Sequence, residues 1–367
     1  MGSYQIAVLP GDGIGPEVMA EALKVLQAVE AAFPALRFTC KEYPTGARCY
    51  QETGSDLPSE TLQACRTSDA ILFGAAGLPN IRFADGTEIA PQLTLRFVLD
   101  LYAGVRPIKR LAGVPPTLAG DPAIDYVILR ENTEGLYASR GGGIRVGNQV
   151  ATDSMVITRA GTERIVRYAF RLAQKRHGAP ADGKRRVTCV DKANVLKSMA
   201  FFRQIFDEVA REFPGIETDH AYVDAMTLYM VQRPLCFDVV VAENMFGDII
   251  SDLAAGTIGG MGLAPSADVG DTYGVFQASH GTAPDIAGKG IANPIAQILS
   301  TGMMLEWLGE RKQDREASAA ARAIEAAVGV TLRDRRFHTA DLGGVASTRA
   351  VGDAVASHLG HWKRDKS

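Results

Sequence analysis

Short apolar runs recur along this chain, each stopping at a glycine or polar loop that gives way to a helical pattern, and this constrains the fold more than any other feature. YQIAVLP ends at Gly11-Asp12-Gly13-Ile14-Gly15-Pro16, after which Met19, Leu23, Leu26 and Val29 repeat at helical spacing. Ala70-Ile71-Leu72-Phe73 meets Gly74-Ala75-Ala76-Gly77, and Asp125-Tyr126-Val127-Ile128-Leu129 runs into Arg130-Glu131-Asn132-Thr133-Glu134. Two further runs, 186–190 and 237–241, precede helical patterns over 194–213 and 248–255. Parallel strands need a crossover connection, so this alternation predicts an α/β architecture with a mostly parallel sheet. The triplet Gly141-Gly142-Gly143 breaks the pattern and predicts a bend into β-structure that projects as an arm near 141–158. An alanine-rich helical pattern covers 314–330, before Asp341-Leu342-Gly343-Gly344.

At 367 residues the chain fits two domains or one large one, yet no repeat, low-complexity tract or linker marks a boundary. Apolar residues at 46% exclude a disordered chain, and 39 Lys plus Arg against 42 Asp plus Glu are too balanced to suggest a polyanion-binding surface without local clustering, so nucleic acid is not expected as a partner. Five cysteines without matched spacing fit reduced thiols in the cytoplasm. The first residues carry no signal-peptide pattern, and no run approaches roughly 18 consecutive apolar residues. The expectation is a soluble chain without a membrane partner.

GDGIGPE follows a strand as a dinucleotide fingerprint would, but Pro16 occupies the third glycine position. A tight strand-to-helix turn is the better reading. Arg96, Arg106 and Arg130 fall at or near strand ends, where guanidinium groups can clamp two carboxylates bidentately. Taken singly, each is more often a salt-bridged surface group. Asp248 and Asp252 lie one helical turn apart on one face, where like charges repel unless a cation intervenes, and Asp224 could supply a third ligand. An oxygen-only set suits Mg²⁺ or Mn²⁺, although an isolated pair of this spacing more often faces water. Lys192 and Tyr137 follow strands and would make an acid-base pair near such a metal. The loop from His280 to Asp285 suits an adenosine, with backbone groups toward the adenine and Asp285 toward the ribose hydroxyls.

Taken together, IAVLPGDGIGPEV, LDLYAGVRP, RENTEGLY, DKANVL, ENMFGDIISDL, HGTAPDIAGKGIANP and DLGGVAST span nearly the whole chain. Their combination resembles the β-decarboxylating dehydrogenases, the family of isopropylmalate, isocitrate, homoisocitrate, tartrate and D-malate dehydrogenases. The resemblance implies two α/β domains with a non-Rossmann NAD site. The cofactor-side domain would comprise 1–104 plus 258–367, and the substrate and dimerisation domain 105–257. It implies an intersubunit β-arm near 141–158 and a homodimer with shared active sites, pairing of dimers into a tetramer being left open. Lys192 and Asp224 would then serve the partner's cleft.

The implied reaction is NAD- and Mg²⁺- or Mn²⁺-dependent oxidative decarboxylation of a (2R)-malate-type 2-hydroxy dicarboxylic acid. Arg96, Arg106 and Arg130 would hold its carboxylates and Asp224, Asp248 and Asp252 the metal. Lys192 would help remove the hydroxyl proton, and Tyr137 would protonate C3 after CO₂ leaves. His280, Gly281, Ala283, Pro284, Asp285, Ile286 and Asn293 would line the adenosine site, and Asp285-Ile286 matches the NAD form of the motif. The isopropylmalate branch is the nearest match. However, Gln92 stands where that branch has leucine and Ile89 where it has Glu, with Glu88 one position away. A buried amide must stay hydrogen-bonded, so Gln92 predicts poorer acceptance of an isopropyl group. The bacterial isocitrate match is also incomplete at Ala90 and Gln92, which leaves the isocitrate, homoisocitrate, tartrate and D-malate branches as alternatives. A regulatory subunit without turnover is a remote alternative, because every matched catalytic position is filled.

Overall fold

The computed structural model describes residues 2–360 and 362. Its strands are β1 (Gly2–Gly11), β2 (Leu36–Glu42), β3 (Ala70–Ala75), β4 (Ala103–Lys109), β5 (Asp125–Glu131), β6 (Ile144–Val146), β7 (Val150–Thr152), β8 (Arg186–Asp191), β9 (Glu217–Tyr222), β10 (Val239–Ala242), β11 (Pro265–Val269) and β12 (Gly274–Ala278). Its helices are α1 (Gly15–Ala32), α2 (Ala47–Thr53), α3 (Ser59–Thr67), α4 (Pro91–Val98), α5 (Arg159–Lys175), α6 (Lys197–Ala210), α7 (Val223–Gln232), α8 (Asn244–Ile258), α9 (Ile295–Lys312), α10 (Arg315–Arg333) and α11 (Thr348–Gly360). The expected strands and helices all form, within a few residues of their anticipated limits.

Ten strands make one sheet in the order β2-β1-β3-β12-β11-β4-β5-β10-β8-β9. Both flanks are parallel, as the alternation predicted, while β12-β11, β11-β4 and β4-β5 are antiparallel and lie at the centre. Strands from the two ends of the chain occupy one side of the sheet, and those from its middle the other, so no linker separates them in sequence.

Period-two alternation shows why the strands read as unbroken apolar runs. Val127, Leu129, Val239 and Val241 belong to the cluster that includes Ile165, Phe170, Phe202 and Phe206 from α5 and α6. Their neighbours Tyr126, Ile128, Val240 and Ala242 belong to another, with Met226, Met230, Ile250 and Ala254 from α7 and α8. A sheet covered on both faces needs apolar residues at every position. Helix α8 starts two residues after β10 and is capped by Glu243, whose carboxylate accepts from the backbone N–H groups of Phe246 (2.6 Å) and Met245 (3.1 Å). That start fixes the direction in which Asp248 and Asp252 leave the sheet.

The arm is shorter than the sequence suggested. β6 and β7 form a hairpin of three residues each, every one exposed, and residues 153–158 contribute only an isolated bridge from Val156 to Gly135. Among the described residues, no helix is long and apolar enough to cross a membrane.

Candidate active site

The three arginines converge. Arg106 points from β4, Arg130 from the end of β5 and Arg96 from α4, and all three line a cleft of about 430 Å³. They are 5%, 6% and 2% exposed for Arg96, Arg106 and Arg130, which rules out the surface alternative. Buried charges need partners. Arg96 Nε donates to Asp268 Oδ2 at 2.8 Å, and Arg130 donates from Nε and Nη2 to Asn244 Oδ1 at 2.9 and 2.8 Å and from Nη1 to Asp248. Arg106 Nε is buried without a hydrogen-bond partner. Burial lowers the pKa of Arg106 and of Arg130, and repulsion from Arg96 adds to both shifts. A bound anion would relieve this imbalance.

Asp248 and Asp252 line the same cleft from α8. Burial raises the pKa of Asp252, and the neighbouring Asp248 charge raises it further, as the like-charge argument requires. Tyr137, on a 3-10 turn (Leu136–Ser139), donates its hydroxyl to Asp248 Oδ2 at 2.8 Å, and the Arg130 guanidinium sits 5.1 Å from its ring centroid. Burial, then Asp248, raises the Tyr137 pKa, which keeps its proton in place at neutral pH. An acid at the clamp, beside two carboxylates, can deliver a proton to a carbon held there.

Lys192 and Asp224 are not part of this cleft. They pair with each other, Lys192 Nζ to Asp224 Oδ1, and Lys192 also faces the Tyr222 ring. Accordingly, no three acidic, His or Cys side chains among the described residues converge on a possible metal position. Two oxygen ligands one turn apart fit a hard divalent cation in part.

His280 and Gly281 line the cleft with Gln277 and Ser279, so the 279–294 loop meets the arginine site directly. His280 Nδ1 lies 2.9 Å from the Gly281 carbonyl, its Nε2 is buried without a partner, and burial lowers its pKa. The unpartnered nitrogen and the exposed Asp285 carboxylate fit a dinucleotide. Ala283, Pro284, Asp285 and Ile286 follow in the same loop, outside the cleft lining. Asn293 is committed within the protein: its Nδ2 donates to Asp341 Oδ2 (3.1 Å) and its Oδ1 accepts from Ile295 N–H (3.1 Å) at the start of α9. The GDGIGP turn is the wall behind this loop. Gly13 has φ +58°, Ile14 N–H donates to the Thr282 carbonyl at 2.8 Å, and a Cβ on Gly13 would stand 2.0 Å from that oxygen. Asp12 is fully buried and accepts from the backbone N–H groups of Ala47, Arg48 and Gly77.

Sequence reasoning missed Asp268 and Asn244, the internal partners of Arg96 and Arg130. Asn244 lies inside the ENMFGD run and could have been suspected there; Asp268, in a short apolar strand, carried no signal. Gln92 lines the cleft as expected, and its Oε1 is buried without a partner, while Glu88, Ile89, Ala90 and Leu93 share the same wall.

The family model described as isocitrate/isopropylmalate dehydrogenase matches residues 5–355. A 3-isopropylmalate/3-methylmalate dehydrogenase of Methanocaldococcus jannaschii is 44% identical over 357 residues, covering 97% of this chain and 99% of the relative. A 3-isopropylmalate dehydrogenase of Rhodococcus erythropolis is 44% identical over 361 residues, covering 97% and 100%. The crystal structure of isocitrate dehydrogenase from Methylococcus capsulatus is similar with TM-score 0.85 and 39% identity, over 98% of this chain and 100% of that one. With its match nearly end to end and three arginines, two aspartates and a tyrosine in one cleft, this chain belongs to the isocitrate/isopropylmalate dehydrogenase family, whose members are oxidoreductases.

Proposed function

We propose that this chain oxidatively decarboxylates a (2R)-malate-type 2-hydroxy dicarboxylic acid with NAD and Mg²⁺ or Mn²⁺, and that 3-isopropylmalate is its best substrate. The observation that carries the reaction class is the set of three buried arginines, one of them unpaired, around Tyr137, Asp248 and Asp252. The names of the relatives support isopropylmalate. Gln92 favours a second reading, a smaller or more polar group at C3, because its unpaired amide faces the cleft.

Arg96, Arg106 and Arg130 orient the two carboxylates and hold C2 and C3 in place. When bound, NAD supplies the hydride acceptor and the divalent cation supplies charge stabilisation at the 2-oxygen during loss of CO₂. Lys192 takes the hydroxyl proton and Tyr137 returns a proton to C3. Asp248 and Asp252 would hold the cation together with Asp224 of a second copy, because Asp224 and Lys192 are displaced together from their own cleft. The exposed apolar side chains Ile144, Val146 and Val150 on the arm, with Leu228, Val231 and Ile249, support a homodimer. His280, Gly281, Ala283, Pro284, Asp285 and Ile286 would receive the adenosine; Asp285 would hold both ribose hydroxyls and repel a 2′-phosphate, hence NAD. Asn293 would shape that loop from within. With a division into 1–104 plus 258–367 and 105–257, the cleft would lie between the two units, since its lining comes from both ranges. The five unpaired cysteines fit a cytoplasmic enzyme.

Steady-state kinetics with isopropylmalate, isocitrate, homoisocitrate, tartrate and D-malate, each with NAD and Mg²⁺, test this. The highest kcat/KM should fall on isopropylmalate. Inactivity on all five overturns the reaction class, and clear Mg²⁺-dependent binding without turnover would instead indicate a regulatory subunit.

A further inference from the structure

Strands β8 and β9 end side by side, with Asp191 opposite Tyr222 in their parallel register, and Lys192 and Asp224 follow within two residues of those ends. Asp191 is fully buried and uses both its oxygens. Oδ2 accepts from Arg203 Nε at 2.7 Å, and Oδ1 accepts from Arg203 Nη2 at 2.9 Å and from the Ala193 N–H at 2.8 Å. The turn that carries Lys192 is thereby tied to Arg203 on α6, through the residue before the lysine and the backbone of the one after it. The Arg203 guanidinium also lies 5.1 Å from the Tyr222 ring centroid, and the Lys192 ammonium lies 5.6 Å from the same centroid. Lys192 needs that support. Its hydrogen-bond acceptor, Asp224, is exposed, and an ion pair so open to water does little to hold a long, flexible stem.

We infer that Arg203 is a positioning residue for Lys192: anchored on the buried Asp191, it fixes the Tyr222 ring against which the lysine lies, and so sets where the ammonium is presented. This rests on Lys192 taking the hydroxyl proton as proposed above. Arginine suits the task because its planar fork can bind both carboxylate oxygens while its face packs on an aromatic ring, which a lysine ammonium cannot do. Two cations beside one ring repel each other, and each is kept there by its own carboxylate, Asp191 for Arg203 and Asp224 for Lys192. Loss of the Asp191–Arg203 pair would release the ring and the turn together, and Lys192 belongs to both.

The test measures kinetics in two backgrounds. Arg203→Met should lower kcat by about tenfold to a hundredfold, while KM for isopropylmalate and for NAD stays within about twofold. Arg203→Lys, which keeps the charge but not the fork, should recover only part of that loss. Arg203→Met leaves a buried carboxylate unpaired and can cost folding, so Tyr222→Leu supplies a second measurement with the Asp191 pair intact. It should lower kcat in the same way, and Tyr222→Phe, which keeps the ring face, should restore most of what Tyr222→Leu loses. Introduced into Lys192→Met, neither Arg203→Met nor Tyr222→Leu should lower the residual rate further, because the lysine through which both act is gone. A merely structural role would lower both backgrounds alike, so an equal fall overturns the proposal, as does an unchanged kcat in Tyr222→Leu or in folded Arg203→Met. Amide hydrogen exchange read by mass spectrometry is independent of turnover: Arg203→Met should speed exchange over 191–198 and 219–226 and leave β4 and β5 as they were. Unaltered exchange over 191–198 also overturns the proposal. Lys192→Met separates the two levels of inference. If it keeps full turnover, the role of Lys192 itself is misassigned; if it is inactive while the Arg203 and Tyr222 variants keep their kcat, only the role of Arg203 fails.

Discussion

Tyr137 and Asp248 share one hydrogen bond, but their expected roles separate experimentally. Tyr137→Phe removes the proton donor and leaves the arginines in place, so overall turnover should fall by roughly a hundredfold or more. Reduction of an added β-keto acid, which needs no proton at C3, should be better preserved. Equal loss in both partial reactions, measured by stopped-flow absorbance of the nicotinamide, would contradict the assignment. Asp248→Asn should weaken Mg²⁺ activation, seen as a rise of about tenfold or more in the Mg²⁺ concentration for half-maximal rate. It should also alter Arg130, because Asp248 is that guanidinium's carboxylate partner. Metal dependence equal to that of the unsubstituted enzyme would remove Asp248 from the cation site.

The strand-to-helix turn from β1 to α1 backs the 279–294 loop. Its glycines let the turn press against Thr282. Gly13→Ala places a Cβ into a carbonyl oxygen at a left-handed φ, at a backbone cost of roughly 1–2 kcal/mol before any clash is counted. The 279–294 loop should shift, raising KM for NAD several-fold while KM for the organic substrate changes little. Asp12→Ala strips three backbone N–H groups of their acceptor, at α2 and at Gly77, and should cost about 2 kcal/mol or more in chemical denaturation. Unchanged stability would mean that another group replaces the carboxylate.

At the scale of the molecule, the separation of Lys192 and Asp224 from the cleft leads to a prediction about assembly. Lys192→Met and Tyr137→Phe homodimers should each be nearly inactive. Co-expressed, they should recover up to about a quarter of full activity, because half the dimers are mixed and each mixed dimer carries one intact cleft. Failure of this complementation, with mixed dimers shown by mass spectrometry, would place Lys192 in its own subunit's site.

Five strands, the helices that follow several of them, the glycine turn and most of the side chains that meet in the cleft were legible in the sequence, because each depends on periodicity or on residue types clustered within a short motif. Asp248 and Asp252 are an example: their spacing alone puts them on one face of α8. The antiparallel centre of the sheet was not legible, since β4 and β11 lack the unbroken apolar runs of the parallel strands and pairing direction leaves no local mark. The shortness of the arm escaped for a similar reason, because period-two patches over 144–158 are compatible with strands that never find a partner. Local pattern thus gives the α/β class and the chemistry of the groups on offer, but not the sheet's pairing. Only tertiary structure decided which charges meet. Arg96 and Asp268 are 172 positions apart in sequence, and their attraction acts through space between α4 and β11.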